Sequence, residues 1–170
     1  MRLVRSLLTV AAAAGIAACA TENAAYDLVQ YSRIDGQCFA DAPKRLDGVN
    51  WTRAKVVNVE IKDGQFSGYG IDLKLGQPTI LRLVNKDDTQ RTFGAEDFLR
   101  AVALEQASGS FGTLTRPCIV GFGIGAGRTA ELRLVPVKEG WYYPEDSLFW
   151  YFGPREVLSF GGLGIITVSR

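Results

Sequence analysis

From residue 56 onward, apolar and polar positions alternate with a period of two. Val57, Val59 and Ile61 take turns with Asn58, Glu60 and Lys62, the pattern of a strand with one face buried. Asp63-Gly64 supplies a turn. Ile71, Leu73 and Leu75 then alternate with Asp72 and Lys74, and Ile80-Leu81-Arg82-Leu83-Val84-Asn85 reads as a further strand. Over residues 95–106 the period changes: Phe98, Leu99, Val102 and Ala103 fall at helical spacing among good helix formers, and Ser108-Gly109 closes the run, which predicts one short helix. Strands resume at 118–122, 129–135, 140–143, 148–152 and 164–168, set apart by glycine and proline turns. Many short strands with a single helix predict an all-β antiparallel sandwich.

Upstream of the alternation, residues 31–53 are irregular, with turn formers at Asp35-Gly36, Pro43 and Asp47-Gly48. Two readings stand: an arm lying across the sandwich, held by Cys38 and Phe39, or a loop that binds a partner. The first eighteen residues have the form of a targeting leader, with Arg2 and Arg5 ahead of a short apolar run. That run is too short to span a bilayer, which takes about 20 apolar residues. It closes with Ile16-Ala17-Ala18-Cys19, which resembles the bacterial lipobox. The resemblance implies cleavage before Cys19 and its lipidation, and acyl chains hold a protein to a membrane without a spanning helix. Ala20 after the cysteine resembles the sorting pattern for the outer membrane. The expected organisation is a leader (1–18), a lipidated tether (19–30), an N-terminal arm (31–53) and a β-sandwich domain (54–170) facing the periplasm.

Charge adds little to this picture. Of 19 basic residues two lie in the leader, against 18 acidic ones, so the remainder is nearly neutral. The basic residues form no run, which gives no reason to expect a nucleic-acid partner. Apart from Cys19, the cysteines are Cys38 and Cys118. In an exported, oxidising compartment two such thiols pair as a disulfide or stay separately buried.

Candidate chemistry is sparse. Gly121-Phe122-Gly123-Ile124-Gly125-Ala126 matches a loose dinucleotide fingerprint, but the alternating run at 129–135 predicts a strand where a phosphate loop must open a helix. The chain has no histidine, so Ser-His catalysis and the usual zinc sites have no donors. Glu145 and Asp146 are adjacent, and neighbours on a strand point to opposite faces, so an acid/base pair would need a loop to bring them together.

The order of elements resembles that of the cupredoxins, the blue-copper sandwich proteins. Asn85-Lys86-Asp87 ahead of Arg91-Thr92-Phe93 is similar to the family's Asn-x-Asp-x-x-x-His-x-Phe. Ala126-Gly127-Arg128-Thr129-Ala130-Glu131-Leu132 with Gly140-Trp141-Tyr142 resembles its Pro-Gly-x-Thr strand leading to Gly-x-Tyr-x-Phe-x-Cys. Gly164-Ile165-Ile166-Thr167-Val168 resembles its last strand. The resemblance implies a Greek-key sandwich with an N-terminal arm and places the copper ligands on this chain: Arg91 stands at the first histidine, Asp146 at the cysteine, and Gly162, or Leu163 with a one-residue slip, at the axial methionine. Blue copper takes two imidazoles and a thiolate, so the expectation is a copper-free domain with no cofactor. The resemblance further implies that Arg91 and Asp146 lie close enough for an ion pair; the alternative is two exposed loop charges.

The aromatic stretch 141–152 is the remaining feature, with Trp141, Tyr143, Glu145 and Trp150 as a candidate surface for a partner or ligand. The alternative is inward core residues alternating with outward ones. The functional expectation is a non-enzymatic membrane lipoprotein whose domain binds a protein partner or serves in assembly. The alternative is a binder of a small ligand or a weak metal ion through the loop 141–152.

Overall fold

Val59 and Ile61 are buried while Asn58, Glu60 and Lys62 face water, so the alternation of β2 (Lys55–Lys62) decides which face of its sheet meets the core. The computed structural model describes residues 29–31, 41–67, 70–144 and 165–170. The other strands are β1 (Val29–Tyr31), β3 (Gln65–Phe66), β4 (Gly70–Lys74), β5 (Thr79–Asn85), β6 (Arg91–Gly94), β7 (Val102–Gly109), β8 (Gly112–Thr115), β9 (Ile119–Ile124), β10 (Thr129–Pro136), β11 (Gly140–Tyr142) and β12 (Ile165–Ser169). Two short helices, α1 (Ala42–Leu46) and α2 (Glu96–Arg100), join them.

Among the described residues the strands form one six-stranded sheet, β3-β2-β5-β10-β7-β8, and two three-stranded sheets, β1-β9-β6 and β11-β12-β4. Inward residues of all three meet in one core: Leu81, Leu83 and Leu132 from the large sheet, Phe93, Phe122 and Ile124 from the second, Leu73, Ile166 and Val168 from the third. Pairing is antiparallel except for β2 with β5 and β4 with β12, which run parallel. Parallel neighbours cannot be joined by a hairpin; between β2 and β5 the chain crosses to another sheet as β4, so the sandwich is a crossed one.

Two expectations need correction. The helical run stops at Arg100, and Val102–Gly109 is strand β7. Its start is buried on both faces, with Leu104 in the main core and Ala103 under α1. A register shift in its pairing with β10, where Arg133 faces Gln106 and Leu134 faces Leu104, leaves Glu105 as an extra residue. A bulge of this kind turns successive inward positions from two apart to three apart, so Leu104 and Ala107 imitate a helical period. The fold also has a second short helix, α1, in the stretch read as irregular. Pro43 sits in its first turn, where a missing N–H does no harm, so the residue that looked like a turn former is compatible with the helix.

α1 and the chain after it lie across the outer face of the large sheet. Leu46 packs with Ala103 and Val135, and Val49, Trp51 and Val137 close around them. β1 pairs with β9, two of its three residues coming from the stretch read as tether. No helix among the described residues is long and apolar enough to cross a membrane.

A polar staple at the candidate metal site

Inward positions of β5 are Thr79, Leu81, Leu83 and Asn85, so the strand's period carries Asn85 into the interior at the end of the row. It is fully buried. Its amide nitrogen donates to the carbonyls of Thr89 (2.8 Å), Ile124 (2.9 Å) and Gly125 (3.0 Å). Its side-chain oxygen accepts from the Asp87 backbone N–H at 3.0 Å, an Asx turn that sets the direction of the β5–β6 loop. Every polar atom of this amide therefore has a partner, as burial requires.

Two residues on, the Asp87 carboxylate collects three donors. The backbone N–H of Asp63 reaches Oδ1 at 2.6 Å, and that of Gly64 reaches Oδ2 at 3.0 Å. Arg91 Nε donates to Oδ2 at 2.6 Å. Asp63 and Gly64 are the turn between β2 and β3 and both have positive φ, 55° and 73°, the two-residue hairpin geometry that Asp-Gly favours. The Gly64 N–H above all, then the Arg91 guanidinium and the Asp63 N–H, outweigh burial and hold the Asp87 carboxyl below its ordinary range. The Asp87 carbonyl in turn accepts from Gly127 N–H at 3.1 Å, in the turn between β9 and β10.

Beneath the staple lies Phe93, fully buried. Its ring stands 6.2 Å from that of Phe66, nearly edge-on, and 5.5 Å from that of Phe122. The carboxylate that the structure places on Arg91 is thus Asp87; Asp146, the expected partner, lies outside the described residues, as do Gly162 and Leu163. Asp87 stands in the Asn-x-Asp motif of the sequence, but nothing local in the chain joins it to Arg91 or to the Asp63-Gly64 turn; the fold brings them together.

The residues present do not fit copper. Arg91 has no lone pair to offer a metal and is committed to Asp87. β9 runs antiparallel to β6 with Ile124 opposite Arg91, so Cys118, just before the other end of β9, lies roughly 20 Å along the strand from Arg91 at about 3.3 Å per residue. Imidazole, which blue copper requires twice, is absent from the chain. Among the described residues no group of three or more His, Cys, Asp or Glu side chains could hold a metal ion.

The glycine stretch at 121–126 is strand β9 running into a turn, with Gly127 at φ 62°, and strand β10 follows; no helix opens there to receive a phosphate. At the other candidate surface, Tyr142 points inward, its hydroxyl donating to the Lys138 carbonyl at 2.9 Å, while Trp141 and Tyr143 point out and are 74% and 61% exposed. Ile165, on the neighbouring strand, is exposed as well. Glu145 and Trp150 lie outside the described residues, as do Cys19 and Cys38.

No protein-family model matches the chain, and no curated protein does. Among solved structures, the chain is similar to a multicopper oxidase from Campylobacter jejuni at 12% identity, with a TM-score of 0.45 over 68% of this chain and 30% of that one. It is similar to a copper nitrite reductase from Nitrosomonas europaea at 12% identity, TM-score 0.45, over 71% and 50%. Auracyanin B is similar at 20% identity, TM-score 0.45, over 72% and 94%. The chain spans half or less of the length of the two enzymes. These neighbours are β-sandwiches of the cupredoxin and multicopper-oxidase kind; the all-β class of this chain, with two short helices among the described residues, rests on its own strand pairings.

Proposed function

We propose that this protein is a non-enzymatic lipoprotein, anchored through Cys19 on the periplasmic side of the outer membrane, whose copper-free cupredoxin-like domain acts by binding a protein partner. A cupredoxin-like frame with no fitting donor set suits a non-catalytic role. The observation that carries the partner reading is the pair Trp141, on β11, and Tyr143, the residue just past its end, both left largely exposed at the edge of the β11-β12-β4 sheet. Large rigid aromatic side chains left in water are the residue types that dominate binding energy at protein interfaces. The leader and lipobox support the anchor.

A Cys38–Cys118 disulfide belongs to the same proposal. Ala42 and Pro43 line one cavity of about 200 Å³ together with Pro117 and Cys118, and this shared lining, four residues along the chain from Cys38, supports the pairing.

The test is in-cell crosslinking of the full lipoprotein, followed by purification from membranes and mass spectrometry. A defined protein recovered with the wild type and lost with Trp141→Ser/Tyr143→Ser supports the reading. Recovery unchanged by that double substitution, or no bound protein at all, overturns it; a small molecule or weakly held metal ion on the loop 141–152 is then the reading to pursue.

A further inference from the structure

At the position that corresponds to the first metal ligand of the resembled fold, hydrogen bonds between this chain's own groups join three separate turns. The β2–β3 hairpin contributes the N–H groups of Asp63 and Gly64, the β5–β6 loop contributes Asp87 and Arg91, and the β9–β10 turn contributes Gly127 N–H. All of these converge on one residue, Asp87. Its side chain is 7% exposed and that of Arg91 36%, so the carboxylate is withdrawn from water and depends on its donors. Arg91 also lies over the hairpin: a Cβ on Gly64 would stand 3.5–3.6 Å from the Arg91 guanidinium atoms.

We propose that the Asp87–Arg91 pair is an ionic latch that replaces the metal as the cross-link at this end of the sandwich, locking the hairpin and loops together independently of any ion. Arg91 is a positioning residue in this scheme. Its guanidinium reaches Asp87 and covers the turn at once, which a shorter imidazole cannot do, and both carboxylate oxygens already accept N–H donors. Placing histidine at position 91 therefore breaks the latch, and among the described residues no group of His, Cys, Asp or Glu completes a metal site.

The experiment compares the full-length chain in detergent with Arg91→His, Arg91→Ala, Arg91→Lys and Asp87→Asn. It measures Tm with equimolar Cu²⁺ or with chelator, and hydrogen exchange at the Asp63 and Gly64 amides. The expected result is exchange roughly tenfold faster at those two amides in Arg91→Ala, Arg91→His and Asp87→Asn, a partial effect in Arg91→Lys, which keeps the charge but not the planar fork, and no Cu²⁺-dependent rise in Tm for the wild type or Arg91→His. Should Asp87→Asn fail to fold, the Arg91 series still decides, since that side chain is partly exposed. Exchange in Arg91→Ala equal to wild type overturns the proposal, and so does a stoichiometric Cu²⁺ rise in Tm in the wild type or a Cu²⁺-dependent return of Arg91→His to the wild-type Tm.

Discussion

Asn85 Nδ2 donates to the carbonyl oxygen of Ile124 at 2.9 Å from a position with no solvent exposure. β5 and β9 belong to different sheets, so this bond joins the two layers of the sandwich through a side chain. The same amide holds Thr89 and Gly125, and removing it takes a donor from three carbonyls, of which Gly125 keeps the Arg128 N–H, and an acceptor from the Asp87 N–H. Asn85→Ala is expected to lower stability by roughly 1–3 kcal/mol, the usual penalty for leaving buried polar groups unpaired, with exchange rising at the Asp87 amide. A denaturant melt of Asn85→Ala that overlays the wild type contradicts this.

Acid acts on the neighbouring carboxylate. The folded Asp87 has its pKa depressed by the Gly64 N–H first, with Arg91 and the Asp63 N–H adding to it, while in the unfolded chain an aspartate titrates near about 3.9. A depressed folded pKa gives a stabilisation that is complete above the unfolded value and is lost as pH falls through the folded one. Protection of the Gly64 amide is therefore expected to hold from neutrality down to about pH 4 and to disappear below it. Loss already at pH 6 would assign the protection to another group.

Phe93 carries the apolar side of the same corner. It has no exposure, and Phe66 and Phe122 pack against it. Phe93→Ala opens a cavity that rigid strands on either side cannot fill, with an expected loss of about 3–5 kcal/mol. Phe93→Leu is expected to lose less. Chemical denaturation of both variants orders them.

The exposed aromatics behave in the opposite way. Trp141→Ser and Tyr143→Ser are expected to shift stability by no more than about 0.5 kcal/mol, as surface substitutions do, while partner recovery from membranes falls. A large drop in Tm for either would show that the ring packs on its own domain.

The proposed disulfide has its own signature. Cys38→Ser, Cys118→Ser and reduction of the wild type should lower Tm by the same amount, corresponding to about 2–5 kcal/mol for a native bridge. A reductant that leaves Tm unchanged removes the bridge from the account.

Much of the frame is legible in the chain because most strands bury one face. Val57, Val59 and Ile61 announce β2, and Ile71 with Leu73 announces β4. β7 is hidden because α1 covers its outer face at Ala103 and the extra residue Glu105 breaks the period. β3, with two residues, and β8, with four, are too short to show a period. At the site, Arg91 stands out by comparison with a histidine motif, but its partner does not. Asp87 is recruited by the N–H groups of a turn far away in sequence, and that convergence is a property of the parallel β2–β5 pairing rather than of any local pattern.

The position of β12 bears on how the chain reaches its native state. It is the central strand of its sheet, flanked by β11 and, in parallel, by β4, with Ile165 opposite Gly70 and Ser169 opposite Lys74. Until β12 is present, β4 and β11 have nothing between them, and one side of the core, at Leu73 and Tyr142, is open. Contacts between such distant parts of a chain form slowly. A polypeptide emerging amino end first thus exposes this apolar side until β12 arrives, an interval in which a chaperone has the most to shield.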